Sequence, residues 1–213
     1  MEILYRDNCI VVAVKPSGVI STDVPGGMPE LVRRELQVHE VRTVHRLDAR
    51  VSGLMVFALT ADAASELSRQ IRDGQFQKEY LAVVHGCPPS SGLLTDLLGR
   101  DRSRRRTYVA QAPGKDVREA KLNYTVLDVC EGYSLVSIDL ITGRTHQIRV
   151  QFASRGWPVA GDRKYGIGGE DFPIALWSRR LSFLHPEQGT PLDFSQLPPR
   201  EQPWDLFSRY PEP

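Results

Sequence analysis

Apolar residues in this chain come in short runs that stop at glycine, proline or a charged cluster, and this spacing constrains the fold more than any other feature. Cys9 to Val14 is a continuous β-rich run closed by Lys15-Pro16-Ser17-Gly18; Ser52 to Thr60 carries Leu54, Met55, Val56 and Phe57; Phe76 to His85 carries Leu81 to Val84. Runs of this length between turn signals read as strands. None approaches the roughly 20 apolar residues that span a bilayer. Lys121 to Val129 and Ser134 to Leu140 flank Glu131-Gly132 as a hairpin, and in the second strand Val136, Ile138 and Leu140 alternate with Leu135, Ser137 and Asp139. Trp177 to Leu184 reads as the last clear strand.

Helical signals are few and short. Pro29 to Leu36 has proline in its first turn, and Thr60 is placed to cap a helix in which Ala63, Leu67 and Ile71 recur every four residues up to Gly74. Thr145 is placed to cap a third, His146 to Arg155. Strands following strands by short turns imply an α+β fold with a largely antiparallel sheet and flanking short helices.

At 213 residues and 41% hydrophobic content, the chain reads as one globular domain over residues 1–213. Disorder, collagen and coiled coil are excluded. From Pro186 onward proline and acidic residues accumulate, so 187–213 is expected to be a surface extension. Met1 leads into a strand-like pattern rather than a signal peptide, which points to a cytoplasmic protein with no membrane partner. Cys9, Cys87 and Cys130 form no C-x-x-C pair and read as buried strand thiols, with no disulfide framework and no metal site expected. The net charge of +1 hides a choice of cation: 22 arginines against 5 lysines. Arg100, Arg102, Arg104, Arg105 and Arg106 fall within seven residues, opposed only by Asp101. Arginine favours planar, bidentate and stacking contacts.

Four stretches hold more chemistry than packing needs. In Val44-His45-Arg46-Leu47-Asp48, an acid stands at the mouth of a buried strand, where loops on rigid elements hold catalytic groups; taken alone, an aspartate between two arginines is more often a structural ion pair. Lys78 and Tyr80 share one strand face. Gly143-Arg144 precedes the third helix, a position from which Arg144 can hold a carboxylate or phosphate, or simply face solvent. Gly161-Asp162-Arg163-Lys164-Tyr165-Gly166 is a turn with two cations inside.

Taken together and in order, these stretches resemble the RluA-type pseudouridine synthases. The family's H-R-L-D-x-x-x-S-G stands at His45–Gly53, its K-P-x-G at Lys15–Gly18, its K-x-Y at Lys78–Tyr80, its G-R-T-H-Q-I-R-V at Gly143–Val150, its G-D-x-x-Y-G at Gly161–Gly166, and an L-x-F-x-H-P element at Leu181–Pro186. The motifs span about Cys9 to Pro186.

The resemblance implies the pseudouridine synthase catalytic fold with a central RNA-binding cleft, and isomerisation of uridine to pseudouridine in transfer or large-subunit ribosomal RNA, with no cofactor. It makes Asp48 the catalytic carboxylate, attacking C1′ or taking the C2′ proton. Arg144 would keep that acid ionised where water is excluded, and Tyr80 would stack on the target base. Arg46 would fill the gap left by the flipped base, and His45 would be a structural hydrogen-bonding residue. Lys15, Lys78, Lys164 and Arg100 to Arg106 become phosphate contacts. Val51, Gln151 and Ser21-Thr22 depart from common family residues without removing a catalytic group. The family's S4 domain is not expected, so a monomer would read a structured stem-loop with the catalytic domain alone. A catalytically weak RNA-binding or RNA-folding factor on the same scaffold is the alternative; retention of Asp48, Tyr80 and Arg144 speaks against it.

Overall fold

The structure, a computed structural model, describes residues 1–211. Its elements run β1 (Ile3–Arg6), β2 (Ile10–Lys15), α1 (Met28–Leu36), β3 (Arg42–Thr43), β4 (Ser52–Ala58), α2 (Ala61–Arg72), β5 (Gln77–His85), β6 (Ser91–Asp101), β7 (Arg106–Ala110), β8 (Arg118–Cys130), β9 (Tyr133–Leu140), α3 (Gln147–Ala153), β10 (Leu176–Leu184) and β11 (Pro191–Ser195), then a 3-10 turn at Trp204–Leu206. The class is α+β with a mixed, largely antiparallel set of strands. Where the sequence reads as one domain, the described residues form two compact units: Met1–Lys78 with Trp177–Pro198, and Glu79–Leu176 with the described residues from Pro199 to Pro211.

In the first unit the strand order is β1-β2-β4-β10, with β3 on β4 and β11 on β10. Only β4 and β10 run parallel, pairing Ser52 with Trp177 and Gly53 with Ser178. β2 and β4 are buried almost end to end, which is why their sequences are continuous apolar runs rather than alternations. Ile10, Val12, Leu54, Val56 and Ala58 pack with Leu67 of α2 and Leu181 and Phe183 of β10. Thr60 caps α2 as expected, its side chain accepting the Ala63 N–H at 3.2 Å. Helix α1 begins at Met28, one residue before the expected start.

The expected surface extension is not one. β11 pairs antiparallel with β10 from Arg180↔Ser195 to Leu184↔Pro191, and Phe194 joins Tyr5 and Phe183 in the core. Proline at the first residue of a strand costs it no ladder bond, so proline content misleads here. Further on, Trp204 and Phe207 are buried as well; residues 212 and 213 lie outside the described part. Of the cysteines, only Cys9 is buried; Cys87 is exposed and Cys130 half-buried.

A hydrogen-bonded staple ties the β1–β2 turn to the end of β10. Asp7 accepts the N–H groups of Cys9 (2.7 Å) and Ile10 (2.8 Å), while its other oxygen receives Tyr5 Oη and His185 Nε2. His185 Nδ1 accepts the N–H groups of Glu187 and Gln188, so Nε2 carries the ring proton. Asp7, Cys9 and His185 hold metal-type atoms within 4.8 Å of one another, but this tautomer commits the imidazole to Asp7. Cys9 donates to Glu187 at 2.9 Å, which with burial pushes its thiol up to about 11.

In the second unit the order is β5-β9-β8-β6-β7, all antiparallel. The β8–β9 hairpin turns at Glu131 (φ 50°) and Gly132 (φ 80°), both left-handed as a tight hairpin requires. A second hairpin, β6–β7, closes at Asp101↔Arg106. It escapes a sequence reading because Leu93, Leu94, Leu97 and Leu98 of β6 recur at helix-like rather than strand-like spacing.

Candidate active site

Asp48 opens a four-residue turn closed by the Val51 N–H on its own carbonyl at 3.0 Å. Strand β4 starts one residue later, and Gly53 explains the glycine there: its φ is 114°, and a Cβ would meet the Ser178 backbone oxygen at 2.4 Å. The parallel neighbour therefore demands glycine at this point. The loop is held from the other side by the segment after β2. Lys15 Nζ donates to Pro16 O and Ala49 O, both at 2.9 Å; Ser17 Oγ donates to Arg50 O at 2.9 Å; Gly18 N–H donates to Ala49 O at 2.8 Å. Ser21 Oγ both donates to Leu47 O (2.7 Å) and accepts Leu47 N–H (3.1 Å). Every residue from Leu47 to Arg50 is thus fixed by its backbone, and Asp48 stands half-buried among them.

The assignment of Lys15 as a phosphate contact is corrected. Its side chain is wholly buried, with its ammonium given to two carbonyls and facing Asp48. Burial pulls the amine down to about 8, opposed by the Asp48 carboxylate. Ser21, which the sequence marks only as a departure, is a second positioning residue; no periodicity signals it, because its role is a pair of bonds to one backbone.

His45 is buried and accepts the Val56 N–H on Nε2 at 3.1 Å, 5.6 Å from the Phe76 ring. Burial, and then the Lys78 charge, push its imidazole down to about 3. It is a neutral structural residue. Arg46 is exposed beside it. Lys78 is half-buried with Nζ 5.5 Å from the Phe76 ring centroid, and burial lowers its ammonium's pKa.

In the second unit Tyr80 is 5% exposed on β5, opposite Ile138 of β9. The stretch from Gly143 differs from expectation at three points. His146, not Thr145, precedes α3, in the left-handed region at φ 55°, so no side chain caps the helix. Thr145 Oγ1 instead accepts Arg100 Nη1 at 3.1 Å. Arg144 is exposed and spends its Nε–H on Glu119 O at 3.0 Å, so it is not a cation held away from water. The buried arginine here is Arg149, 4% exposed, bidentate to Asp162 at 2.8 and 2.7 Å. Burial opposes ionisation of Asp162, yet Arg149 and the Lys164 and Tyr165 N–H groups hold its carboxyl below the usual range. The signal for Arg149 is its place among the apolar residues of α3, where an unpaired arginine would not be tolerated.

The arginine cluster is an ordered hairpin turn. Arg102 and Arg104 side chains are 81% and 83% exposed, and Asp101 caps the turn through Arg104 N–H. Lys164 Nζ donates to Arg105 O at 2.9 Å, so its charge is shared with the hairpin backbone.

The sequence profile of the RNA pseudouridylate synthase family matches residues 9–154. The dual-specificity RNA pseudouridine synthase RluA of Yersinia pestis is 36% identical over 91% of this chain and 97% of its own length; that of Escherichia coli K12 is 36% identical over 91% of each. The chain belongs to the RNA pseudouridylate synthase family. The motif resemblance therefore stands, and the family acts on RNA. The ribosomal large subunit pseudouridine synthase D of Neisseria meningitidis is 32% identical over 94% of this chain, which spans only 59% of that relative's length. Human RNA Pseudouridylate Synthase Domain Containing 1 shares the fold with a TM-score of 0.82 at 24% identity, covering 98% of this chain and 88% of that one. No helix among the described residues is long and apolar enough to cross a membrane.

Proposed function

We propose that the protein is an RNA pseudouridine synthase, acting as a monomer in the cytoplasm on uridines of structured transfer or large-subunit ribosomal RNA. The observation that carries this reading is the Asp48 loop: a half-buried carboxylate on a turn whose neighbours are fixed by five backbone bonds, in a chain of this family. The reaction breaks N1–C1′, turns the uracil and joins C5 to C1′, releasing the C5 proton. Asp48 begins it, by attack at C1′ or by taking the C2′ proton. Tyr80 stacks on the extruded base and assists proton movement at C5, and exposed Arg46 fills the gap in the RNA stack. Arg149 rather than Arg144 takes the arginine's part in this chemistry, since a cation's influence is strongest where water is excluded. A relative named for the ribosomal large subunit and one named a dual-specificity RNA enzyme support an RNA substrate, ribosomal RNA among the candidates.

Asp48→Asn is expected to abolish tritium release from 5-tritiated uridine in transfer RNA while retaining RNA affinity. Wild-type release by the Asn protein would overturn the assignment. Mapping pseudouridine in RNA from cells with and without the gene identifies the target.

A further inference from the structure

The Gly161–Gly166 turn makes two grips in opposite directions. Asp162 holds Arg149 through both carboxylate oxygens and also accepts the Lys164 and Tyr165 N–H groups. Three residues on, Tyr165 holds the arginine hairpin: its hydroxyl accepts the Thr107 N–H at 2.8 Å, and Arg106 Cζ lies 4.9 Å from its ring centroid. The same ring has Arg149 Cζ at 5.2 Å, and its hydroxyl meets His146 Nδ1 at 2.8 Å. The turn cannot open to absorb a displacement cheaply. A Cβ on Gly161 would sit 2.4 Å from Pro173 O, one on Gly166 2.3 Å from Asp162 O, and Gly166 N–H closes on Asp162 O at 2.7 Å.

Two guanidinium groups therefore share one phenol ring, one of them exposed on the hairpin and the other buried. In free protein both draw on the same ring, Arg149 with its charge already paired to Asp162. A phosphate that pairs with Arg106 competes with the ring for that guanidinium and draws it away, which leaves the ring to Arg149 alone. Thr107 adds a mechanical link, since its N–H is on Tyr165 and its Oγ1 donates to Thr145 O at 2.9 Å, at the entrance to α3.

We propose that Tyr165 is a positioning residue that couples phosphate capture by the β6–β7 hairpin to the setting of Arg149, so that Arg149 is set when RNA is engaged. This rests on RNA being the ligand of the hairpin, as in the function proposed above. It assigns Tyr165 no contact with substrate.

The test is a double-variant cycle with 5-tritiated transfer RNA under single turnover at saturating enzyme. Arg106→Gln is expected to lower the rate about three- to tenfold in the native background and to have no further effect on rate in Tyr165→Leu, while weakening RNA affinity in both. The same fold reduction in both backgrounds, or a change confined to affinity, overturns the coupling. Should Tyr165→Leu fail to fold, Tyr165→Phe keeps the ring and removes the Thr107 bond; its expected result is a slower rate at unchanged affinity, and a native rate overturns the proposal. A readout independent of turnover is the Arg149 Nε–H resonance in 15N-labelled protein, expected to shift on adding transfer RNA in wild type but not in the Tyr165 variant. An equal shift in both overturns the coupling, whereas a Tyr165-dependent shift in a wild type that converts no uridine overturns the enzymatic reading alone.

Discussion

Lys15 Nζ lies 2.9 Å from the carbonyl oxygen of Ala49, the residue that follows Asp48, so a buried ammonium fixes the turn that presents the carboxylate. Lys15→Met leaves two carbonyls without a donor and frees the loop. A shift of about 1 Å in a reacting group costs on the order of a hundredfold in rate, and single-turnover tritium release measures it. The pH dependence has a definite sign. Between about 8 and the ordinary lysine value of 10.5, the unfolded chain holds a proton that the folded chain has released. Wild-type stability therefore gains from Lys15 as pH rises through that window, and the gain is absent in the Met variant. Denaturant midpoints at pH 7, 8, 9 and 10 compare the two.

His45 gives the opposite window. Its imidazole titrates near 3 when folded and near 6.5 when unfolded, so between those values only the unfolded chain binds the proton, and stability falls as pH drops from 6.5. For one proton the slope is about 1.4 kcal/mol per pH unit. His45→Gln keeps an acceptor for the Val56 N–H and is expected to remove that part of the slope; an identical acid profile would mean that other groups account for it.

Arg149→Gln strands the buried Asp162 carboxylate. Breaking a buried pair costs about 3–5 kcal/mol, against about 0.5 kcal/mol or less for an exposed arginine such as Arg144. Urea unfolding of Arg149→Gln and Arg144→Gln should separate by that margin, and comparable midpoints would show that the Arg149–Asp162 pair adds no more to stability than a surface contact.

Tyr80→Phe keeps the buried ring opposite Ile138 and is expected to fold with native stability. Loss of a proton-transfer hydroxyl costs about 10²–10⁴-fold in rate. A native single-turnover rate would leave Tyr80 a stacking role only.

Much of the fold is legible in the sequence because local rules and long-range demands agree. Thr60 caps α2 and Glu131-Gly132 turns the hairpin since each side chain or glycine acts on its own neighbourhood. Lys15 and Arg144 depart from their motif reading for one shared reason. A motif names the residues, but not whether a cation's partners are phosphates or backbone carbonyls far along the chain, such as Ala49 for Lys15 and Glu119 for Arg144. Ser21 and Arg149 escape a sequence reading likewise, their partners being Leu47 and Asp162. The β6 strand is hidden by leucines at helical spacing, and β11 by its proline.

The arginine hairpin yields the last expectation. Arg102 and Arg104 are extended into solvent, each with an ion contact of 3.7 Å, to Asp116 and Asp101 respectively. Such exposed pairs contribute about 0–1 kcal/mol to stability, so Arg102→Gln and Arg104→Gln should unfold at the native midpoint. Their worth lies in binding. Removing one arginine–phosphate pair lowers the slope of log affinity against log salt by about 0.7 on a single strand and 0.9 on a duplex, so the double variant should flatten that slope by about 1.4 to 1.8. Filter binding of transfer RNA from about 50 to 300 mM salt is the measurement, and an unchanged slope would make these two arginines a solvated tip rather than an RNA grip.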